Sequence, residues 1–196
     1  MLHAALTVAR RLTQPVIALV MVAWPFIIWF GITHHALAWL LPVMVLLLLI
    51  RLRQARLRGG PLRLIAKGVA LTGVVLCVAS LVLRSHHLLL WYPVVVNTLL
   101  LGMFGASLWS SMPLVERIAR LKEPDLPPAG VRYTRRVTQV WCGFFIVNGS
   151  VAAFTCGYGD TDLWTLWNGM IAYLLMGALM AGEWLVRQRV IQREVS

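Results

Sequence analysis

Of the 18 lysines and arginines in this chain, all but Arg84 fall near the two ends or in alternate breaks between long apolar runs. They stand at positions 10 and 11, within 51–67, within 117–136 and within 187–193. A soluble fold has no reason to keep cations out of every second connector. A membrane protein does, because short cationic loops are retained on the cytoplasmic side. The pattern predicts an all-α, polytopic transmembrane helical bundle of about six spans at about 20 residues each, with both termini cytoplasmic.

The spans are expected at 15–31, 36–50, 68–83, 88–110, 137–156 and 163–186, within one integral membrane domain covering residues 1–196. Pro25 is expected to kink the first span by removing a backbone donor. Arg10 and Arg11 precede a long apolar run, which reads as a retained first helix rather than a cleaved leader. The cytoplasmic connector at 111–136 is the longest polar segment. Composition agrees, since charged residues make up only 13% of the chain, whereas a soluble surface needs about 25–35%. A net charge of +11 would suggest nucleic acid in a soluble protein. Here the bases flank apolar runs, so they are assigned to topology and to anionic membrane lipids, and no nucleic-acid partner is expected.

Polar residues inside apolar runs are the next signal. Asn97 and Asn148 fall near mid-depth of the fourth and fifth spans, and Asn168 in the outer part of the sixth. Buried amides need partners, so they serve either as glue between helices or as the lining of a polar cavity. Glu183 lies about one turn from the inner end of the last span. It is placed to pair with Arg187 four residues on, or to act as a substrate-binding or proton-coupled carboxylate. Gly102, Gly105 and Ala106, and likewise Gly177, Ala178, Ala181 and Gly182, would admit a neighbouring helix at close range.

Met112–Lys122 reads as an interfacial helix capped by Ser111, with an apolar stripe of Leu114, Val115, Ile118 and Leu121. Its cations Arg117, Arg120 and Lys122 are the candidate contacts to headgroups or to an acidic partner. The pairs His34-His35 and His86-His87 face the opposite side, where adjacent helical residues diverge by about 100° and cannot easily grip one ion. Asp160-Thr-Asp162 is too short a motif to define a metal site. Cys77, Cys142 and Cys156 lack metal-ligand spacing and read as small buried hydrophobes. No nucleophile elbow, zincin helix, phosphate loop or dinucleotide turn occurs. The expectation is therefore a protein without catalytic residues, metal or cofactor.

Leu101-Gly-Met-Phe-Gly-Ala-Ser-Leu-Trp109, Pro113-Leu-Val-Glu-Arg117, Leu126-Pro127, Trp141-Cys-Gly-Phe144-Phe145 and Asn148 together resemble the intracellular septation protein A family. The likeness covers the C-terminal half of the chain. The first half agrees only in hydropathy. That family usually enters its last helix through Trp-x-x-Phe-Lys; here Trp164 fits, but Trp167 and Asn168 stand where Phe and Lys would be. The chain is more similar still to a sister group encoded beside aryl-polyene pigment and fatty-acyl synthesis genes. The resemblance implies a bacterial inner-membrane location and a part in cell-envelope biogenesis.

The expected function is an inner-membrane accessory or scaffold that handles lipid or acyl products without catalysis of its own. Its partners would be membrane lipids and cytoplasmic acyl-carrier or envelope-synthesis proteins. The alternative is a small lipid or acyl-product transporter using the polar groups of the last three spans. The topology is directly testable. Reporter fusions after residues 58, 125 and 196 should read cytoplasmic, and those after 34, 86 and 160 should read on the far side. A cytoplasmic signal at 86 would exclude the six-span arrangement.

Overall fold

The computed structural model describes residues 23–34, 36–57, 62–83, 87–121 and 123–195. Helix α1 spans Trp24–Thr33, α2 Leu37–Leu57, α3 Leu62–Leu83, α4 His87–Leu90 and α5 Tyr92–Leu108. Next come the short α6 (Leu114–Ala119), the long α7 (Pro128–Tyr158) and α8 (Thr161–Leu166). A π turn at Trp167–Ile171 joins α8 to α9 (Ala172–Val195). The described residues are all-α, without strands. Among the described residues, four segments are long and apolar enough to cross a membrane, namely Arg63–Leu83, His87–Leu108, Pro128–Tyr158 and Thr161–Gln188. This is the architecture of a membrane helical bundle. Of the expected first span, residues 15–22 lie outside the described part, and α1 is a shorter apolar helix.

Prolines decide where several helices begin. Pro25, expected to kink the first span, sits in the first turn of α1, where its missing N–H costs no intrahelical bond. The same chemistry moves the start of α7. Pro127 is extended at φ −65°, ψ 159°, and Pro128 occupies the first turn. A residue before proline is disfavoured in the helical region, so the helix cannot extend backward past Pro128. It runs forward without interruption, and residues 128–136, expected as connector, form the first turns of a 31-residue helix. The irregular connector therefore ends at Pro127.

The expected fourth span is also interrupted, at Trp91, between α4 and α5. Pro93 lacks the donor that would continue the ladder and crowds the preceding turn. In its neighbourhood the Leu90 carbonyl accepts two side-chain bonds, from Trp164 Nε1 at 2.9 Å and from Cys156 Sγ at 3.0 Å. Trp164 is fully buried and belongs to a core with Trp24, Ile28, Leu41, Leu48 and Leu89. Trp24 stacks obliquely on Tyr92, with ring centroids 4.7 Å apart. One end of the bundle is thus knitted together around a break in the chain.

The most extensive seam among the described residues is between α5 and α7. A Cβ on Gly149 would lie 3.0 Å from the Cβ of Asn97. The glycines expected to mediate close approach do not do so among the described residues. A Cβ on Gly102, Gly105, Gly177 or Gly182 would meet nothing within 4 Å. Spacing of small residues permits a contact, but the rotation of each helix selects which residues use it. Gly149→Leu should therefore lower stability by about 1–3 kcal/mol through overpacking. Gly102→Leu should change it by no more than about 0.5 kcal/mol. Thermal unfolding of both variants in detergent measures the contrast.

Candidate functional site

Two polar constellations lie in the apolar body. The first is a chain of amides between α5, α7 and the π turn. Asn148 Nδ2 donates to Asn97 Oδ1 at 3.1 Å, and Asn97 Nδ2 donates to the Pro93 carbonyl at 2.8 Å. The chain continues where Trp167 Nε1 donates to Asn148 Oδ1 at 3.2 Å. Asn97 and Asn148 are both buried. Their bonded amide groups have the geometry of helix–helix glue.

Asn168 belongs to a separate arrangement. Its Nδ2 donates to the Trp164 carbonyl at 2.9 Å and to Thr155 Oγ1 at 3.4 Å. Its Oδ1 is buried without a partner among the described residues. The wider π turn, in which Ala172 N–H reaches back to the Trp167 carbonyl, presents both Trp167 and Asn168 to α7.

The second constellation is a cavity of about 640 Å³ between α5, α6, α7 and α9. On α7, Tyr133, Val137, Trp141 and Phe145 line it at four-residue spacing, and on α9 Met176, Met180, Glu183 and Arg187 line it at three- and four-residue spacing. Helical periodicity puts each set on one face. Phe104 of α5 meets Phe145 edge-on at 5.2 Å and so forms part of an aromatic wall with Trp141. The helices α7 and α9 are joined where Tyr133 Oη donates to the Glu183 backbone carbonyl at 2.9 Å. From that tie toward Trp141 and Met176 the lining is apolar. Around the tie it is polar, with Glu183, Arg187 and the connector's Glu123.

Short-range bonds hold the connector over this cavity. Helix α6 is six residues long, shorter than expected, and Ser111 does not cap it. Ser107, from the end of α5, accepts from the Leu114 N–H at 3.0 Å. Arg117 donates to the Met112 carbonyl at 2.9 Å and to Ser110 Oγ at 3.3 Å. Arg120 pairs with Glu116 at 2.9 Å and donates to the Pro124 carbonyl at 2.8 Å. Both arginines thus brace the connector on itself while remaining partly accessible. Glu116 is only 3% exposed, so this ion pair is largely withdrawn from solvent on its acidic side. Lys122 lies outside the described residues.

Glu183 and Arg187 do not form the expected ion pair. The acidic partner of Arg187 is Glu123, at 3.5 Å. Helix α9 supplies the cation and the connector supplies the anion, so the bridge closes across the cavity rim rather than along the helix. Both side chains are more than a third exposed or close to it, and such a bridge adds at most about 1 kcal/mol. The motif Asp160-Thr-Asp162 also has a structural role. Asp160 caps α8 by accepting from the N–H groups of Asp162 and Leu163, and Asp162 accepts from Trp29 Nε1. Among the described residues, no three His, Cys, Asp or Glu side chains converge on a metal position.

Sequence spacing alone did not single out Tyr133, the burial of Glu116 or the cavity. A four-residue repeat from Tyr133 to Phe145 was present, but an apolar face of this kind looks the same whether it packs or lines space. Comparison with family models, curated proteins and solved structures finds no match for the chain. The geometry therefore carries the functional reading.

The direct contact of Asn97 with Asn148 has a measurable consequence. Asn97→Leu and Asn148→Leu should each destabilise the protein, and the pair should be non-additive by about 0.6–1.7 kcal/mol. A double-mutant cycle on thermal unfolding in detergent tests it. Strict additivity would rule out an energetic role for the bond.

Proposed function

We propose that this protein is a non-catalytic accessory of cell-envelope biogenesis in a bacterial inner membrane, and that it holds an acyl chain of a lipid or lipid-like product in the α5–α6–α7–α9 cavity. The single observation that supports this reading is the cavity itself. Its volume lies within the range of about 300–1,000 Å³ common to small-molecule sites. Its walls are methionine, aromatic and aliphatic side chains, with polar groups confined to one end. That polarity matches an amphiphile with its tail inside and its head at the rim. Met176 and Met180 suit a tail of variable shape, since unbranched thioether side chains adapt to irregular surfaces.

The likeness to the septation protein family supports the envelope role, and the one-sided cation distribution supports a cytoplasmic position for the connector. In that orientation the polar end of the cavity faces the inner leaflet and the cytoplasm. Arg117 and Arg120 then flank it with positive charge. They serve as the meeting point for anionic headgroups or for an acidic acyl-carrier or envelope-synthesis protein. The transporter alternative draws on the polar groups of the last three spans, of which the Asn97 and Asn148 amides are bonded to each other, to Pro93 and to Trp167.

A photoreactive fatty-acyl probe tests the reading. Labelled peptides should come from the cavity wall around Trp141 and Phe145. Ala119→Trp and Met176→Trp, which fill the cavity from opposite sides, should each cut labelling several-fold while thermal stability stays near that of the parent. Labelling unchanged in both variants, or confined to outward residues such as Leu174 and Trp184, would reject acyl binding.

A further inference from the structure

A lipid tail gains little by moving from the bilayer into an apolar cavity, because both are hydrocarbon-like. Selection of one lipid over another must therefore come from the polar rim. Among the described residues, the charged side chains there are Glu183, Arg187 and Glu123, two carboxylates to one guanidinium. This is the reverse of the chain as a whole, whose net charge is +11. The general field of the protein attracts anionic lipids to its periphery. At the cavity rim the described side chains carry no such excess of positive charge.

The three groups are also arranged in order. Arg187 sits one helical turn beyond Glu183 on α9 and meets Glu123 of the connector at 3.5 Å. The Tyr133 hydroxyl, bonded to the Glu183 backbone carbonyl at 2.9 Å, holds that turn of α9 against α7. The Glu183 carboxylate has no ion-pair partner among the described residues. The polar end of the apolar cavity thus holds one cation, paired with one anion, and a second anion one helical turn away.

We propose that the cavity selects a zwitterionic aminophospholipid, with its phosphate on Arg187 and its primary ammonium on Glu183, assisted by Glu123. This rests on the reading of the cavity as an acyl-chain site. A head carrying only negative charge would place its phosphate beside two carboxylates. An uncharged head would leave all three ionic groups unmatched. A phosphate joined to an ammonium by a short link satisfies both signs at once. Arginine suits the phosphate because its planar fork presents paired donors, and a carboxylate suits the three donors of an ammonium.

The test uses the full-length protein, delipidated in detergent. Native mass spectrometry would measure binding of phosphatidylethanolamine, phosphatidylglycerol and diacylglycerol with identical acyl chains. The cavity component is the binding lost in Ala119→Trp, which separates it from lipid held at the periphery. In that component phosphatidylethanolamine should exceed both others by about ten-fold, the scale of one charged hydrogen-bonding contact. Glu183→Gln should remove the preference over phosphatidylglycerol, and Arg187→Gln should remove the preference over diacylglycerol. Phosphatidylethanolamine acetylated on its amine should lose the advantage on the unaltered protein, which requires no variant to fold. Equal cavity binding of all headgroups would overturn the aminophospholipid proposal and leave the acyl-chain reading standing. No cavity component for any lipid would overturn both.

Discussion

A backbone group that loses its helical partner inside hydrocarbon has no water to turn to, so another part of the protein must supply the bond. The fold depends on meeting that requirement around the break between α4 and α5. Pro93 prevents a continuous helix through this region, and the Leu90 carbonyl is served by Trp164 and Cys156. These donors come from α8 and the end of α7, distant in sequence. Satisfying one carbonyl therefore positions the turn after α7, and with it the start of the last membrane segment. Asp160 and the Asp162–Trp29 bond secure that turn to α1.

From this fixed end, α7 and the last segment run as an antiparallel pair toward the connector. The amide chain from Pro93 through Asn97 and Asn148 to Trp167 links three apolar segments at an intermediate depth. Gly149 lets α5 come close enough for that chain to form. Farther along, Tyr133 holds the same two helices at the far end. Between these ties the helices are not filled by each other's side chains, and the space between them becomes the cavity. An internal polar network specifies register here, and the consequence of that register is an unfilled apolar volume bounded by an ionic rim.

The connector completes the arrangement with little regular structure. Helix α6 has six residues, too few to be stable alone. It is held by Ser107 at its start and by Arg120, which joins Glu116 to the Pro124 carbonyl. Cations that serve topology in sequence terms also serve as internal braces. The two roles are compatible, because a guanidinium has several donors and keeps its charge while bonded.

Much of the architecture was legible before any coordinates. Long apolar runs force helices, since an isolated segment in hydrocarbon must satisfy its own backbone. Alternating cationic connectors are a property of order along the chain, so the sequence determined the membrane class and the positions of most helices. It also placed Asn97 and Asn148 at matching depth in neighbouring apolar segments. Tertiary structure decided the rest. The forward extension of α7 to Pro128, the pairing of Arg187 with Glu123 rather than with Glu183, and the choice of Gly149 over Gly102 as the contact all depend on helix rotation and relative position. The cavity is the clearest case: residues at helical spacing define a face, but only the placement of a second and third helix decides whether that face is packed or left open.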